Sequence, residues 1–117
     1  MAVQLISLKD FRDFIQEGQC IIILGTCWCK SAVMMSIIFD KMHEKYQNNF
    51  KFGKVDVENF CEIVNLVKVG AVPEFLIYKD GKLQSREHCT KAEELELFMD
   101  KFLEKINVLE KMSDYLY

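Results

Sequence analysis

The chain has 117 residues, of which half are hydrophobic, 28% are charged and nine are phenylalanine. This composition is that of a single folded domain and excludes a disordered protein. The 15 basic and 18 acidic residues give a net charge of −3 and are mixed along the chain, so neither a nucleic acid nor a membrane surface is an expected partner.

The predicted elements alternate strands with helices from the start of the chain. Residues 3–6 form a short strand, and Ser7 with Asp10 caps a helix that ends near Gly18. The predicted buried face of this helix consists of Leu8, Phe11, Phe14 and Ile15. Residues 20–24 are a continuous apolar run, which is typical of a central strand covered on both faces.

A long helix is predicted over residues 29–46, followed by a strand over 50–56 and a helix over 60–68. The predicted buried side of the long helix consists of Val33, Met34, Ile37, Ile38 and Met42.

The last part of the chain is predicted to form a hairpin and a closing helix. Two runs, 74–78 and 83–88, flank an Asp-Gly turn at residues 80–81, and Thr90 with Glu93 forms a second capping box. The order β-α-β-α-β-α-β-β-α indicates one α/β domain, with a largely parallel sheet, helices on both faces and an antiparallel edge.

The cysteines are odd in number and lack the spacing of a disulfide framework or a zinc site. They are Cys20, Cys27, Cys29, Cys61 and Cys89. We therefore expect no metal and no cofactor. Cys20 and Cys61 are interpreted as small buried hydrophobic residues, and Cys89 as an exposed thiol near the site described next.

Trp28 and Cys29 lie between a buried strand and the start of a long helix. Unpaired N–H groups and the helix dipole stabilise an anion there, so a thiol at this place is a candidate nucleophile. The alternative is a buried structural cysteine.

Pro73 is the only proline and directly precedes the apolar strand 74–78. Proline is tolerated at the first residue of a strand. We predict a cis Val72–Pro73 peptide bond; the alternative is a trans proline that starts the strand.

Four landmarks in order resemble the thioredoxin family: Trp-Cys at 28–29, Lys-Val-Asp at 54–56, Val-Pro at 72–73 and Asp-Gly-Lys at 80–82. The resemblance spans residues 1–105 and implies a thioredoxin-like fold, with a central mixed sheet sandwiched by helices. In that fold the proline loop lies against the active-site cysteine.

The active-site positions depart from the family pattern. Where the family has Trp-Cys-Gly-Pro-Cys, this chain has Trp28-Cys29-Lys30-Ser31-Ala32. The resemblance implies that Cys29 is the attacking thiol, that Trp28 flanks it and that Ala32 occupies the position of the lost resolving cysteine.

Further family residues are replaced. Ile23 stands where a buried acid assists proton transfer, Glu74 follows the proline in place of threonine, and the groove glycine is missing near Cys89. Lys54 is retained and belongs to the predicted catalytic set. An engineered trapping substitution at Ala32 would not produce the other losses, so natural loss is the favoured explanation.

Two functions remain open. The first is a thioredoxin-like protein that forms mixed disulfides with protein partners through Cys29, with weak or absent dithiol turnover. The second is a non-catalytic subunit of a larger assembly, such as a thioredoxin-like light chain of axonemal dynein. Cys27 is the alternative internal thiol, although a Cys27–Cys29 bridge closes a small, strained ring.

The predicted partner-facing surface comprises Trp28, Val72, Pro73 and Glu74, with a partner peptide pairing against the backbone of Val72. Expected partners are proteins with a cysteine or a disulfide. Residues 106–117 are predicted to be a C-terminal helical extension that either packs on its own domain or docks on a partner.

No secretory signal and no run of about 18 apolar residues is visible, so no membrane association is expected. The expected location is the cytoplasm, and the alternative is the axoneme of a cilium or flagellum.

Overall fold

A computed structural model describes residues 2–116 and has a five-stranded sheet with helices on both faces. The strands are β1 (Val3–Gln4), β2 (Gln19–Gly25), β3 (Lys51–Asp56), β4 (Glu74–Lys79) and β5 (Lys82–His88). The helices are α1 (Leu8–Ile15), α2 (Lys30–Tyr46), α3 (Glu62–Val67) and α4 (Ala92–Leu116). The predicted α/β class and element order are confirmed.

The sheet has the strand order β1-β3-β2-β4-β5. β1, β3 and β2 are parallel, whereas β4 is antiparallel to β2 and β5 is antiparallel to β4. The prediction of a largely parallel sheet is therefore wrong for β4. Gly25 pairs with Asp56 at the end of β3, and the neighbouring Leu24 pairs with Glu74 at the start of β4. α3 thus does not carry the chain back across the sheet before β4 begins.

The core has two layers, one on each face of the sheet. In β2, Ile21 and Ile23 join the layer packed against α2 and α4, while Cys20, Ile22 and Leu24 join the layer beneath α1 and α3. Because both faces of β2 are covered, the strand reads as an unbroken apolar run. Complete burial of one such side chain contributes about 1.5–3 kcal/mol.

The helix caps show how far local sequence determines the fold. The Ser7 hydroxyl accepts a hydrogen bond from the Asp10 N–H at 3.1 Å, as predicted, and the Asp10 carboxylate accepts one from the Ile6 N–H at 3.2 Å. At α4, the Thr90 N–H donates to Glu94 at 2.9 Å rather than to the predicted Glu93. This hydrogen bond lowers the pKa of the Glu94 carboxyl.

The buried face of α2 differs from the prediction. Its buried residues are Ala32, Met35, Phe39 and Tyr46, with Ile38 and Met42 partly buried. The predicted core residues Val33, Met34 and Ile37 are 44%, 58% and 50% exposed. α2 carries apolar residues on two faces, and the face with the two large aromatic rings covers the sheet.

The last helix, α4, crosses the predicted domain end at residue 105 without a break. Ile106 still packs against the core, whereas Val108, Leu109 and Met112 are about half exposed. The side chains of residues 113–117, which include the apolar residues predicted at the chain end, lie outside the described residues. Between residues 2 and 116, no helix combines the length and the hydropathy that crossing a bilayer demands.

Candidate active site

Cys29 is the residue that precedes α2 and is half-buried. Its own backbone is extended, with φ −98° and ψ 114°, and its carbonyl accepts the Val33 N–H at 3.0 Å. The first N–H groups of a helix have no partner within the helix, and the dipole of α2 adds a partial positive charge at this end. The thiol therefore stands where a negative charge is stabilised.

The proline loop lies against this thiol. Cys29 Sγ is 3.9 Å from the carbonyl oxygen of Val72, and the Val72–Pro73 peptide bond is cis. Pro73 is buried and Val72 is half-buried. The structure thus brings together two of the predicted site residues, Cys29 and Val72, which are 43 positions apart in the chain.

Residues of β5 hold the proline loop in place. Arg86 donates to both carboxylate oxygens of Glu74, at 2.8 and 2.7 Å, and to the carbonyl oxygens of Val67 and Lys68 at 2.6 and 3.3 Å. His88 Nδ1 lies 2.8 Å from the carbonyl oxygen of Pro73. The loop is therefore fixed from both β5 and the end of α3.

This network corrects the prediction for Glu74. Glu74 is predicted to belong to the partner-facing surface, but it is only 9% exposed and its carboxylate is paired with Arg86. Glu74 is therefore part of the support of the loop and does not belong to the exposed surface.

Trp28 is 78% exposed. Its indole N–H donates to the carboxylate of Glu58. The backbone N–H of Glu58 in turn donates to Asp56 at 3.0 Å. The indole thus lies on the surface beside Cys29 and is oriented by the segment that follows β3.

Ala32 lies in the first turn of α2 and is 2% exposed. Together with Ile23, Cys27 and Lys54 it lines a cavity of about 270 Å³ whose wall does not include Cys29. The Ala32 methyl group is also close to β2, because a Cβ added to Gly25 would lie 3.3 Å from it.

Lys54 lies in this cavity rather than at the thiol of Cys29. Its ammonium group donates to the Ser36 hydroxyl and to Asp40, both at 2.8 Å. The ion pair with Asp40 holds the ammonium group against α2, in the cavity that Ala32 also lines.

The thiols fall into two groups. Cys27 and Cys61 are exposed and Cys29 is half-buried, whereas Cys20 and Cys89 are fully buried. Two predictions are therefore wrong: Cys61 starts α3 at the surface, and Cys89 is enclosed between β5 and α4. Burial raises the pKa of Cys20 to about 11 and that of Cys89 to about 12.

The two buried thiols predict a loss of stability at alkaline pH. Unfolding returns each thiol to a pKa near 9, so above that pH the unfolded chain releases protons that the folded chain keeps. The stabilisation present below pH 9 is lost as the pH rises towards the folded pKa, by about 1.4 kcal/mol per pH unit for each thiol. Urea unfolding between about pH 9 and pH 11 measures this slope.

Cys89→Ala should make that pH dependence less steep, whereas Cys61→Ala, at an exposed position, should leave it unchanged. Equal slopes in the two variants would contradict the assignment.

Sequence reasoning did not identify the roles of Glu58, Arg86 and His88. Each acts on a residue at least 12 positions away in the chain, across strands or loops, and none lies in a recognisable motif. Within residues 2–116, no group of three or more His, Cys, Asp or Glu side chains is arranged to hold a metal ion.

A mixed five-stranded sheet with a thiol at the start of the second helix, facing a cis-proline loop, defines the class of thioredoxin-fold proteins. The family model described as Thioredoxin matches residues 2–101. The chain belongs to the thioredoxin family.

Individual relatives agree with this assignment. A thioredoxin of Coprinus comatus is 42% identical over 83 residues, which cover 68% of this chain and 78% of that protein. The structure of oxidised mitochondrial thioredoxin 3 from Saccharomyces cerevisiae has a TM-score of 0.78 and 27% identity, over 86% of this chain and 94% of the other. The thioredoxin structure from Trypanosoma brucei brucei shares the fold, with a TM-score of 0.81 and 23% identity over 89% and 92% of the two chains.

Proposed function

We propose that this protein exchanges disulfides with protein partners, with Cys29 as the attacking thiol, and holds a partner in a mixed disulfide. The observation that supports this proposal most directly is the accessible thiol at the start of α2, whose Sγ lies 3.9 Å from the carbonyl oxygen of Val72. Ala32 is buried at the position of the family's second thiol.

The exchange has a simple balance. The thiolate of Cys29 attacks one sulfur of a partner disulfide R–S–S–R′, forms Cys29–S–S–R and expels R′–S⁻. A second thiolate R″–S⁻ from another molecule can then attack the R sulfur of this bond, which forms R–S–S–R″ and restores the Cys29 thiolate. Because no sulfur is present at Ala32, the mixed disulfide has no resolving group at that position, and its lifetime depends on attack by another thiol.

The residues that line the cavity favour slow release of the partner from the mixed disulfide. A protonated or deprotonated acid at position 23 would relay a proton to and from the reacting sulfurs, but Ile23 is apolar and 3% exposed. The Lys54 ammonium lines the same cavity and is already paired with Asp40. Proton exchange at the site must therefore use solvent.

The partner surface in this proposal is formed by the backbone of Val72 and the exposed ring of Trp28. An extended peptide that pairs with Val72 as a short added strand would bring its disulfide next to Cys29 Sγ. A backbone contact of this kind accepts many sequences, so the partners are defined by an accessible disulfide or cysteine. The reaction needs no cofactor.

Alkylation tests the assignment of the nucleophile. With iodoacetamide at about pH 6, Cys29 should be labelled at least about tenfold faster than Cys61, because it directly precedes the long helix α2, whose first N–H groups point towards the reacting sulfur's end of the helix. Cys20 and Cys89 should be labelled only after unfolding, since both are buried. Peptide mass spectrometry at several reaction times gives the order. Faster labelling of Cys61 or Cys27 would contradict the proposal.

A non-catalytic role in a larger assembly, including one in a ciliary axoneme, is the second candidate. The half-exposed apolar residues Val108, Leu109 and Met112 of α4 favour it, because they lie outside the thiol site. Cys29→Ser distinguishes the two functions: it abolishes capture of a partner in the first and leaves association unchanged in the second. The first function goes with a location in the cytoplasm, and the second with a location in the cilium.

A further inference from the structure

We infer that Cys27 is the resolving thiol of this site, so that the reactive pair is Cys27 and Cys29 rather than two cysteines separated by two residues. The inference rests on the proposed role of Cys29 and adds the step by which its mixed disulfide is released.

The spacing of Cys27 and Cys29 along the backbone allows a disulfide to form between them. Consecutive Cα atoms are about 3.8 Å apart, so Cα atoms separated by one residue lie about 5–7 Å from each other. Disulfides form at Cα separations of about 4.4–6.8 Å. Residues 27 and 28 form a turn, so the chain bends between Cys27 and Cys29.

The side chain of Cys27 is accessible. It is exposed and borders the cavity that also contains Ala32, next to the position of the family's second thiol. The cavity leaves room for the loop to adjust when a bond forms.

The other thiols are less suitable. Cys20 and Cys89 are enclosed in the two core layers. Cys61 is exposed, but its thiol lies 3.4 Å from the carbonyl oxygen of Glu58, at the start of α3. It belongs to a different loop from Cys29, so a Cys29–Cys61 bond is the competing outcome that the experiment must exclude.

Release of the partner by Cys27 is a second thiol–disulfide exchange. The Cys27 thiolate attacks the Cys29 sulfur of Cys29–S–S–R, a Cys27–Cys29 disulfide forms, and R leaves as a thiolate. Over both steps the protein loses two electrons, and the partner disulfide is reduced to two thiols. Because the ring is small, this disulfide is readily reduced, and release is favoured when the leaving thiol has a low pKa. Partners with ordinary thiols remain bound for longer.

The test uses one equivalent of dithiobis(nitrobenzoate), an aromatic disulfide with a good leaving thiol, added to the reduced full chain. The first thiolate released reports attack by Cys29. A second thiolate should follow without further reagent, and the product should be lighter than the reduced chain by two hydrogen atoms. Peptide mapping should then find Cys27 joined to Cys29.

Cys27→Ser should stop after the first release and keep the aromatic adduct on Cys29, whereas Cys61→Ser, the matched control at the other exposed thiol, should behave as the unchanged chain does. A second release from Cys27→Ser, or a Cys29–Cys61 link, would overturn the inference. A first release without a second would overturn it while leaving the proposed function intact. No release from Cys29 would contradict the proposed function as well.

Discussion

Arg86→Ala is expected to lower the free energy of unfolding by about 2–4 kcal/mol, the largest effect on stability that we predict for a residue outside the apolar core. The substitution leaves the Glu74 carboxylate nearly buried without its cation, and it removes the donor that satisfies the carbonyl oxygens of Val67 and Lys68. Arg86 itself is 31% exposed, so water offsets part of the loss. Urea unfolding followed by circular dichroism measures the change.

The matched control is the surface pair formed by Lys45 and Glu96, whose side chains are 61% and 41% exposed. Glu96→Gln should cost no more than about 1 kcal/mol. The double variant Glu74→Gln with Arg86→Met removes both charges of the pair and should recover part of the stability lost in Arg86→Ala. A cost of Arg86→Ala no greater than that of Glu96→Gln would show that the network does not hold the loop.

Ala32→Cys is expected to increase insulin reduction in the presence of dithiothreitol by about 100-fold, because it places a second thiol beside Cys29 within the same molecule. Little space separates the Ala32 methyl group from Gly25, but the neighbouring cavity of about 270 Å³ accommodates the added sulfur. Turbidity from the released insulin chain gives the rate. Ala32→Ser, of similar size but without a nucleophilic sulfur, is the control and should show no increase.

Ala32→Cys should restore only part of a two-thiol reductase, since Ile23 supplies no acid. Adding Ile23→Asp should raise the rate further, at a cost in stability from placing a carboxylate at a site that is 3% exposed. Rapid insulin reduction by the unchanged chain would contradict the expected weak turnover and would indicate that the Cys27 pair is an efficient reductant.

Features encoded within a few residues were predictable. The apolar run of β2, the capping of α1 by Ser7 and the Asp80-Gly81 turn, where both residues have positive φ, all depend on local chemistry. The position of Cys29 at the start of a helix was likewise visible, because a loop between an apolar strand and a helix has few alternative placements.

Features that depend on pairing across the sheet were not predictable. The direction of β4 is set by where α3 returns the chain, and the burial of Glu74 is set by Arg86, which is 12 residues away. The buried face of α2 was ambiguous because apolar side chains occupy two sides of that helix, and only the packed sheet selects Phe39 and Tyr46.

The direction of α4 gives the molecule two distant ends. β5 ends at His88, which pairs with Glu74 at the end of the sheet where Cys29 lies. α4 starts four residues later and runs away from this end for 25 residues, a length of about 37 Å. Lys111 is exposed near its far end. A tether attached at Lys111 would therefore orient every molecule on a sensor surface with Cys29 directed into the solution, which allows partners to be captured without interference from the support.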